Sequence, residues 1–188
     1  MTQPGQRYLA QCICRAGLLA IASTLSCMAG TCQGSDAAES EYRPGPDFLY
    51  NVARFTSWPG ATGQQFNLCI MGNSRFSNLT DTLASKRVHG KPLQVSYPAS
   101  PEHATHCQML YISPSHAEHL EYIIAALQGH AILTLSDIDD FTGRGGIIGM
   151  YTVDSKLHFD VNIGSATEAG LSISSRVLQL ANVIRTDR

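Results

Sequence analysis

The sequence predicts an α/β fold, a single domain whose mixed β-sheet is flanked by helices. Three observations point to it. Short apolar runs bounded by turn residues recur at 66–72, 107–113 and 130–136. Stretches with helical apolar spacing lie between them. Two alternating stretches, 146–154 and 156–163, meet at the tight Asp154-Ser155 pair. Strands separated by helices need crossover connections and pair in parallel, whereas a two-residue turn makes an antiparallel hairpin. A chain of 188 residues is long enough to bury one ordinary core and too short for two.

The N-terminus departs from this pattern. Arg7 and Arg15 precede AGLLAIASTLSCMAG (16–30), an apolar, small-residue run with no acid before Asp36, which is the layout of an export signal peptide. A membrane span needs about 20 apolar residues, and this run is shorter and broken by Ser23, Thr24 and Ser26. A retained anchor is the alternative. Cleavage after Ala29 or after Ala37 fits the small-residue rule. The later cut is preferred because it removes Cys12, Cys14, Cys27 and Cys32 and leaves Cys69 and Cys107 as an even pair. Residues 1–37 are thus expected to be signal peptide and polar leader, and 38–188 the exported domain. An even cysteine pair in an exported chain suggests one disulfide. It would close a loop of about 38 residues, worth about 4 kcal/mol in the chain-entropy model.

Within the body, PDFLYNVARFTSW (46–58) carries Phe48, Leu49, Val52, Phe55 and Trp58 at helical spacing, with Pro59-Gly60 as a stop. FNLCIMG (66–72) reads as a strand, and 75–85 as a helix with Phe76, Leu79 and Leu83 on one face. PLQVSY (92–97) and CQMLYIS (107–113) are strands, 115–129 is a helix ended by Gly129, and HAILTLS (130–136) is a strand. After the hairpin, 166–184 reads as a helical turn, a break at Gly170 and a helix capped by Ser172 or Ser174. That helix would turn Val177, Leu178, Leu180, Ala181 and Ile184 inward.

A net charge of -2 leaves no basic stripe for nucleic-acid phosphates, so nucleic acid is not an expected partner. The glycines of FTGRGGIIGM (141–150) miss the G-x-G-x-x-G spacing and lead into a strand, whereas a dinucleotide loop opens a helix. They read instead as the approach to a close-packed strand. ILTLSDIDDFTG (132–143) resembles the first motif of haloacid-dehalogenase-type phosphatases, with Asp137 as nucleophile and Asp139 as acid/base. Phe141 stands where that family wants Thr or Val, and Lys156 and Asp160 are poor substitutes for its later motifs. His103/His106 beside Cys107, and His116/His119, have residue types suited to zinc. No H-E-x-x-H accompanies them, and Cys107 is better used in a disulfide, so the histidines read as surface. Serine, histidine and aspartate occur without a nucleophile elbow. No enzyme, metal or cofactor is expected.

Taken in order, YNVARFTSWP (50–59), FNLCIMG (66–72), CQMLYIS (107–113), ILTLSD (132–137), GGIIGMY (145–151) and FDVNIGSATEAGLSISSRVLQLA (159–181) resemble the YfiR family of periplasmic proteins. The resemblance spans roughly 46–184. Its strongest pieces are the Asn-x-x-x-Phe-x-x-Trp-Pro start and the Asn-x-x-x-Ala-x-x-x-Gly-Leu tail. It implies a periplasmic repressor that binds the periplasmic domain of an inner-membrane diguanylate cyclase and lowers cyclic-di-GMP output and biofilm formation. It also implies an outer-membrane-associated lipoprotein that sequesters the repressor, and a homodimer. Some members of that family carry a second disulfide flanking the strand after the glycines. GGIIGMYTVD has no cysteine there, and Cys69 and Cys107 match the other pair. Similar domains serve as extracytoplasmic small-ligand sensors, which is the alternative. The contact residues expected for partner or ligand are Asn51, Arg54, Trp58, Glu168 and Arg176.

Overall fold

The computed structural model describes residues 45–186 apart from 61–62, 74–75 and 77–78. The expected leader, 1–37, lies outside the described residues, which all belong to the unit Glu39–Arg188. The chain runs α1 (Pro46–Arg54), β1 (Thr56–Ser57), β2 (Phe66–Met71), α2 (Leu79–Leu83), β3 (Arg87–Val88), β4 (Lys91–Ser96) and β5 (Met109–Ile112). It continues through α3 (Leu120–Ala126), β6 (Leu133–Ser136), β7 (Ile148–Val153), β8 (Lys156–Asn162), α4 (Ile163–Glu168), β9 (Ser172–Ile173), α5 (Ser175–Leu178) and β10 (Ile184–Arg185).

The expected mixed sheet flanked by helices is present, with eight strands in the order β10-β8-β7-β6-β5-β2-β4-β3. Its centre is parallel, β2 lying between β4 and β5, and β6 between β5 and β7. The β7-β8 hairpin is antiparallel, from Ile148↔Val161 to Val153↔Lys156. Asp154 (φ 48) and Ser155 (φ 57) are both left-handed, as a two-residue hairpin turn of matching twist requires. A second hairpin, β3-β4, turns on His89 (φ 49) and Gly90 (φ 79) in the same way. A two-residue strand is too short to show as alternation, so the sequence reading passes over β3.

The central strands read as continuous apolar runs because both faces of the sheet are covered. Leu68, Ile70, Met109, Tyr111, Leu133 and Leu135 point into one core, closed by Leu49, Val52 and Ala53 of α1, Leu79 and Leu83 of α2, Ala166 and Val177. The alternate residues Cys69, Met71, Leu110 and Ile112 point into a second core, closed by Leu120, Ile123, Leu127, Ile138 and Phe141. Phe76, Leu79 and Leu83 share the first core as their spacing predicts.

Four expected helices are shorter in the structure, that at 75–85 being helical at Leu79–Leu83. The first ends at Arg54 rather than Trp58. Thr56 Oγ1 donates to the Val52 carbonyl at 3.0 Å, and Thr56 and Ser57 then pair antiparallel with Ile173 and Ser172. The expected helix at 115–129 begins as a 3-10 turn, Pro114–His119, with Ser113 accepting from the Ser115 N–H. It becomes α-helical only at Leu120. The expected helix after Gly170 is the largest departure: β9, the four-residue α5 and β10 replace it. Ser174, not Ser172, caps α5 by accepting from the Arg176 N–H. Leu180 is 73% exposed and Ile184 46%, so neither is inward. Pairing of Ser172–Ile173 with β1 and of Ile184–Arg185 with β8 supplies backbone hydrogen bonds that override the helical spacing.

Gly146 lies so close to the buried Phe141 ring that a methyl group there would overlap the ring. Gly146→Ala is therefore expected to cost about 1–3 kcal/mol, the scale of overpacking a dense core. In urea unfolding, adding Phe141→Leu should recover part of that loss. An unchanged midpoint for Gly146→Ala would disprove the close approach.

Candidate functional site

Helix α1 buries Leu49, Val52 and Ala53, which leaves Asn51 and Arg54 on its outer side. Across from that side lie the start of β8 and the segment of α5. Between them opens a groove of about 770 Å³. Its floor is Phe48, Val52, Phe55, Leu157, Phe159 and Val177, and Leu180 stands at its margin. The Phe48 and Phe159 rings meet edge to face at 5.3 Å, which joins helix to hairpin.

The rim is cationic. Arg54, Lys156 and Arg176 line the groove, and no acidic residue does. The Arg54 guanidinium lies 5.8 Å from the Phe55 ring centre and that of Arg176 lies 5.7 Å from it, so the two share one aromatic ring. Arg54 also lies 5.6 Å from the Tyr50 ring. Such contacts contribute about 0.5–1 kcal/mol each at exposed sites and orient a guanidinium without neutralising it. Among the described residues, the carboxylates that pair with arginine stand elsewhere, Glu121 on Arg144 and Asp140 on Arg185. Positive charge beside an apolar floor, with no carboxylate lining the groove among the described residues, is complementary to a surface that offers carboxylates and apolar side chains together.

Three of the five expected contact residues, Asn51, Arg54 and Arg176, line this groove. Trp58 does not. Its indole N–H donates to the Gln108 carbonyl at 2.9 Å, and its ring packs on Phe66 at 5.0 Å. It forms part of a separate cleft of about 340 Å³. Glu168, exposed on α4, lines another cleft with Arg144 and Gly145. The sequence reading missed Lys156, Leu157 and Phe159. The alternation of 157 and 159 along β8 marks one face, but nothing local says that α1 covers it.

The other candidate chemistries find ordinary structural uses. The Asp137 carboxylate accepts a hydrogen bond from Tyr111 Oη at 2.6 Å. A strand follows the glycine stretch, as expected. Glu102 is held down at a pKa of about 2 by its bond from Ser100 and then by that from Tyr122 Oη. Glu121 is lowered by a backbone hydrogen bond and by Arg144. Neither is the raised carboxyl that a general acid needs. Cys69 and Cys107 form a disulfide with Cα atoms 6.0 Å apart, and His103 and His106 beside it are exposed.

A family model described as YfiR/HmsC-like matches residues 46–182. Among solved structures, the crystal structure of a conserved domain protein from Vibrio cholerae O1 biovar eltor is similar in fold, with a TM-score of 0.51 at 13% identity. That likeness covers 76% of this chain and 60% of the other, and at this identity it speaks to fold alone.

Proposed function

The chain belongs to the YfiR/HmsC-like family, and from that premise we propose that it is a periplasmic repressor of a membrane diguanylate cyclase. Membership implies a regulator of diguanylate cyclase signalling rather than an enzyme. In this reading the chain binds the cyclase's periplasmic domain and lowers cyclic-di-GMP output. An outer-membrane-associated lipoprotein relieves the repression by sequestering it, and the chain acts as a homodimer.

The observation that carries a binding role is the groove. It combines an apolar floor with Arg54, Lys156 and Arg176 and has no acid of its own, which suits an acidic, apolar docking segment. The Cys69–Cys107 bond fits an oxidising compartment. Among the described residues no helix is long and apolar enough to cross a membrane. A second reading, a sensor of small amphipathic anions, draws on the same groove, whose size falls within the range of small-molecule sites.

Cellular cyclic-di-GMP tests the proposal when measured in a strain lacking the protein, beside the parent and a complemented strain. A rise that complementation reverses is expected, together with direct binding of the purified chain to the cyclase periplasmic domain. Unchanged cyclic-di-GMP with no binding would overturn it and favour the sensor.

A further inference from the structure

We propose that reduction of the Cys69–Cys107 bond creates a metal site, in which the two thiolates and the His106 imidazole bind a thiophilic d¹⁰ cation such as Zn²⁺. This does not depend on the partner proposed above. The three ligand atoms, Cys69 Sγ, Cys107 Sγ and His106 Nε2, lie within 4.8 Å of one another. His106 Nε2 is 3.9 Å from Cys107 Sγ. Tetrahedral zinc, with Zn–S about 2.3 Å and Zn–N about 2.0 Å, sets its ligands about 3.6–3.8 Å apart. The imidazole already stands near that spacing from Cys107 Sγ. The sulfurs, once unbonded, reach it by side-chain rotation from Cα atoms 6.0 Å apart.

The backbone that carries these ligands is held without the disulfide. The Asn67 side-chain amide donates to the His106 carbonyl at 3.1 Å, and the Asn67 N–H donates to Gln108 Oε1 at 2.7 Å. The Gln108 N–H returns a bond to the Asn67 carbonyl at 3.0 Å. Trp58 holds the Gln108 carbonyl. Ser96 Oγ lies 3.1 Å from Cys69 Sγ, where its hydroxyl can donate to a thiolate. Cys69 is 0% exposed and Cys107 2%, whereas His106 is exposed. The sulfurs therefore bind the cation from within, the imidazole binds it from the solvent side, and a water from that side supplies the fourth ligand of the tetrahedron.

The chemistry balances in two steps. A dithiol reductant passes two electrons and two protons to the bond, giving two thiols and its own cyclic disulfide. Binding of M²⁺ then releases the two thiol protons to solvent, because only thiolate ligates. The oxidised chain has no thiolate to offer, so metal and disulfide exclude each other.

Cobalt titration of the full chain tests this, with Cys12, Cys14, Cys27 and Cys32 all changed to serine so that only the pair contributes sulfur. After reduction with dithiothreitol and anaerobic desalting, one equivalent of Co²⁺ should give sulfur-to-cobalt charge-transfer absorption and tetrahedral d–d bands, both abolished by Zn²⁺. It should also quench Trp58, the only tryptophan in the sequence. The oxidised chain should show none of these. His106→Gln changes an exposed side chain and should weaken binding by at least about tenfold, the loss seen even for outer partners of metal ligands. Cys69→Ala with Cys107→Ala should abolish the charge-transfer band. A reduced chain without that band, or one in which His106→Gln binds equally well, would overturn the proposal. So would a reduced chain that loses its native circular dichroism whether or not metal is present.

Discussion

A chain carrying Cys69→Ala and Cys107→Ala is expected to be about 4 kcal/mol less stable than the parent. The bond closes a loop with a sequence separation of 38, and in the chain-entropy model opening it restores about that much freedom to the unfolded state. The native state loses as well. Both sulfurs sit in the second core beside Ala104, Leu110 and Leu120, so their removal leaves small voids that collapse only in part. For a domain of this size the thermal midpoint should fall by about 10 °C. Urea unfolding at neutral pH measures the change directly. A loss below about 1 kcal/mol would mean that the loop is already ordered in the unfolded chain, or that the pair contributes little to holding β2 to β5. Serine in place of alanine should cost more, since it leaves two hydroxyls in an apolar environment.

Reversing both groove arginines, Arg54→Glu with Arg176→Glu, should weaken binding to the cyclase periplasmic domain by about 100-fold, equivalent to about 2.7 kcal/mol. Both side chains are exposed, so stability should change by no more than about 0.5 kcal/mol apart from the lost ring contacts. That separates a docking defect from a folding one. The parent complex should weaken as salt rises, because rim charges act mainly through electrostatic steering, and the reversed variant should lose most of that dependence. In cells its cyclic-di-GMP should rise to the level of the deletion strain. Glu118→Gln, exposed on the 3-10 turn Pro114–His119 and away from this groove, serves as the control that leaves binding intact. Equal binding by the double reversal would remove the groove as the docking surface.

The parts of the fold legible in the sequence are those whose cause is local. The runs at 66–72, 107–113 and 130–136 are apolar throughout because helices cover both sheet faces there, and Asp154-Ser155 marks its hairpin through backbone conformations suited to short polar side chains. The C-terminal stretch is not legible for the opposite reason. Val177 and Leu178 sit at helical spacing with Leu180 and Ala181, yet the backbone of 172–173 and 184–185 finds its partners on β1 and β8. No window of neighbouring residues contains that information. The groove divides along the same line. Asn51 and Arg54 follow from the buried stripe of α1, whereas Lys156, Leu157 and Phe159 join it only through the tertiary placement of the hairpin. Trp58 continues the helical spacing in the sequence, but the helix ends at Arg54 and the indole lines a separate cleft.

The short β1-β9 ladder, together with the bond from the Ser174 N–H to the Phe55 carbonyl at 2.8 Å, ties the segment that follows α1 to the segment that precedes α5. Its consequence is one of timing. The wall bearing Arg54 is synthesised well before the wall bearing Arg176, and the ladder that aligns them cannot form before both are present. A nascent or C-terminally trimmed chain would thus carry the family's first motif and much of its sheet without a completed groove.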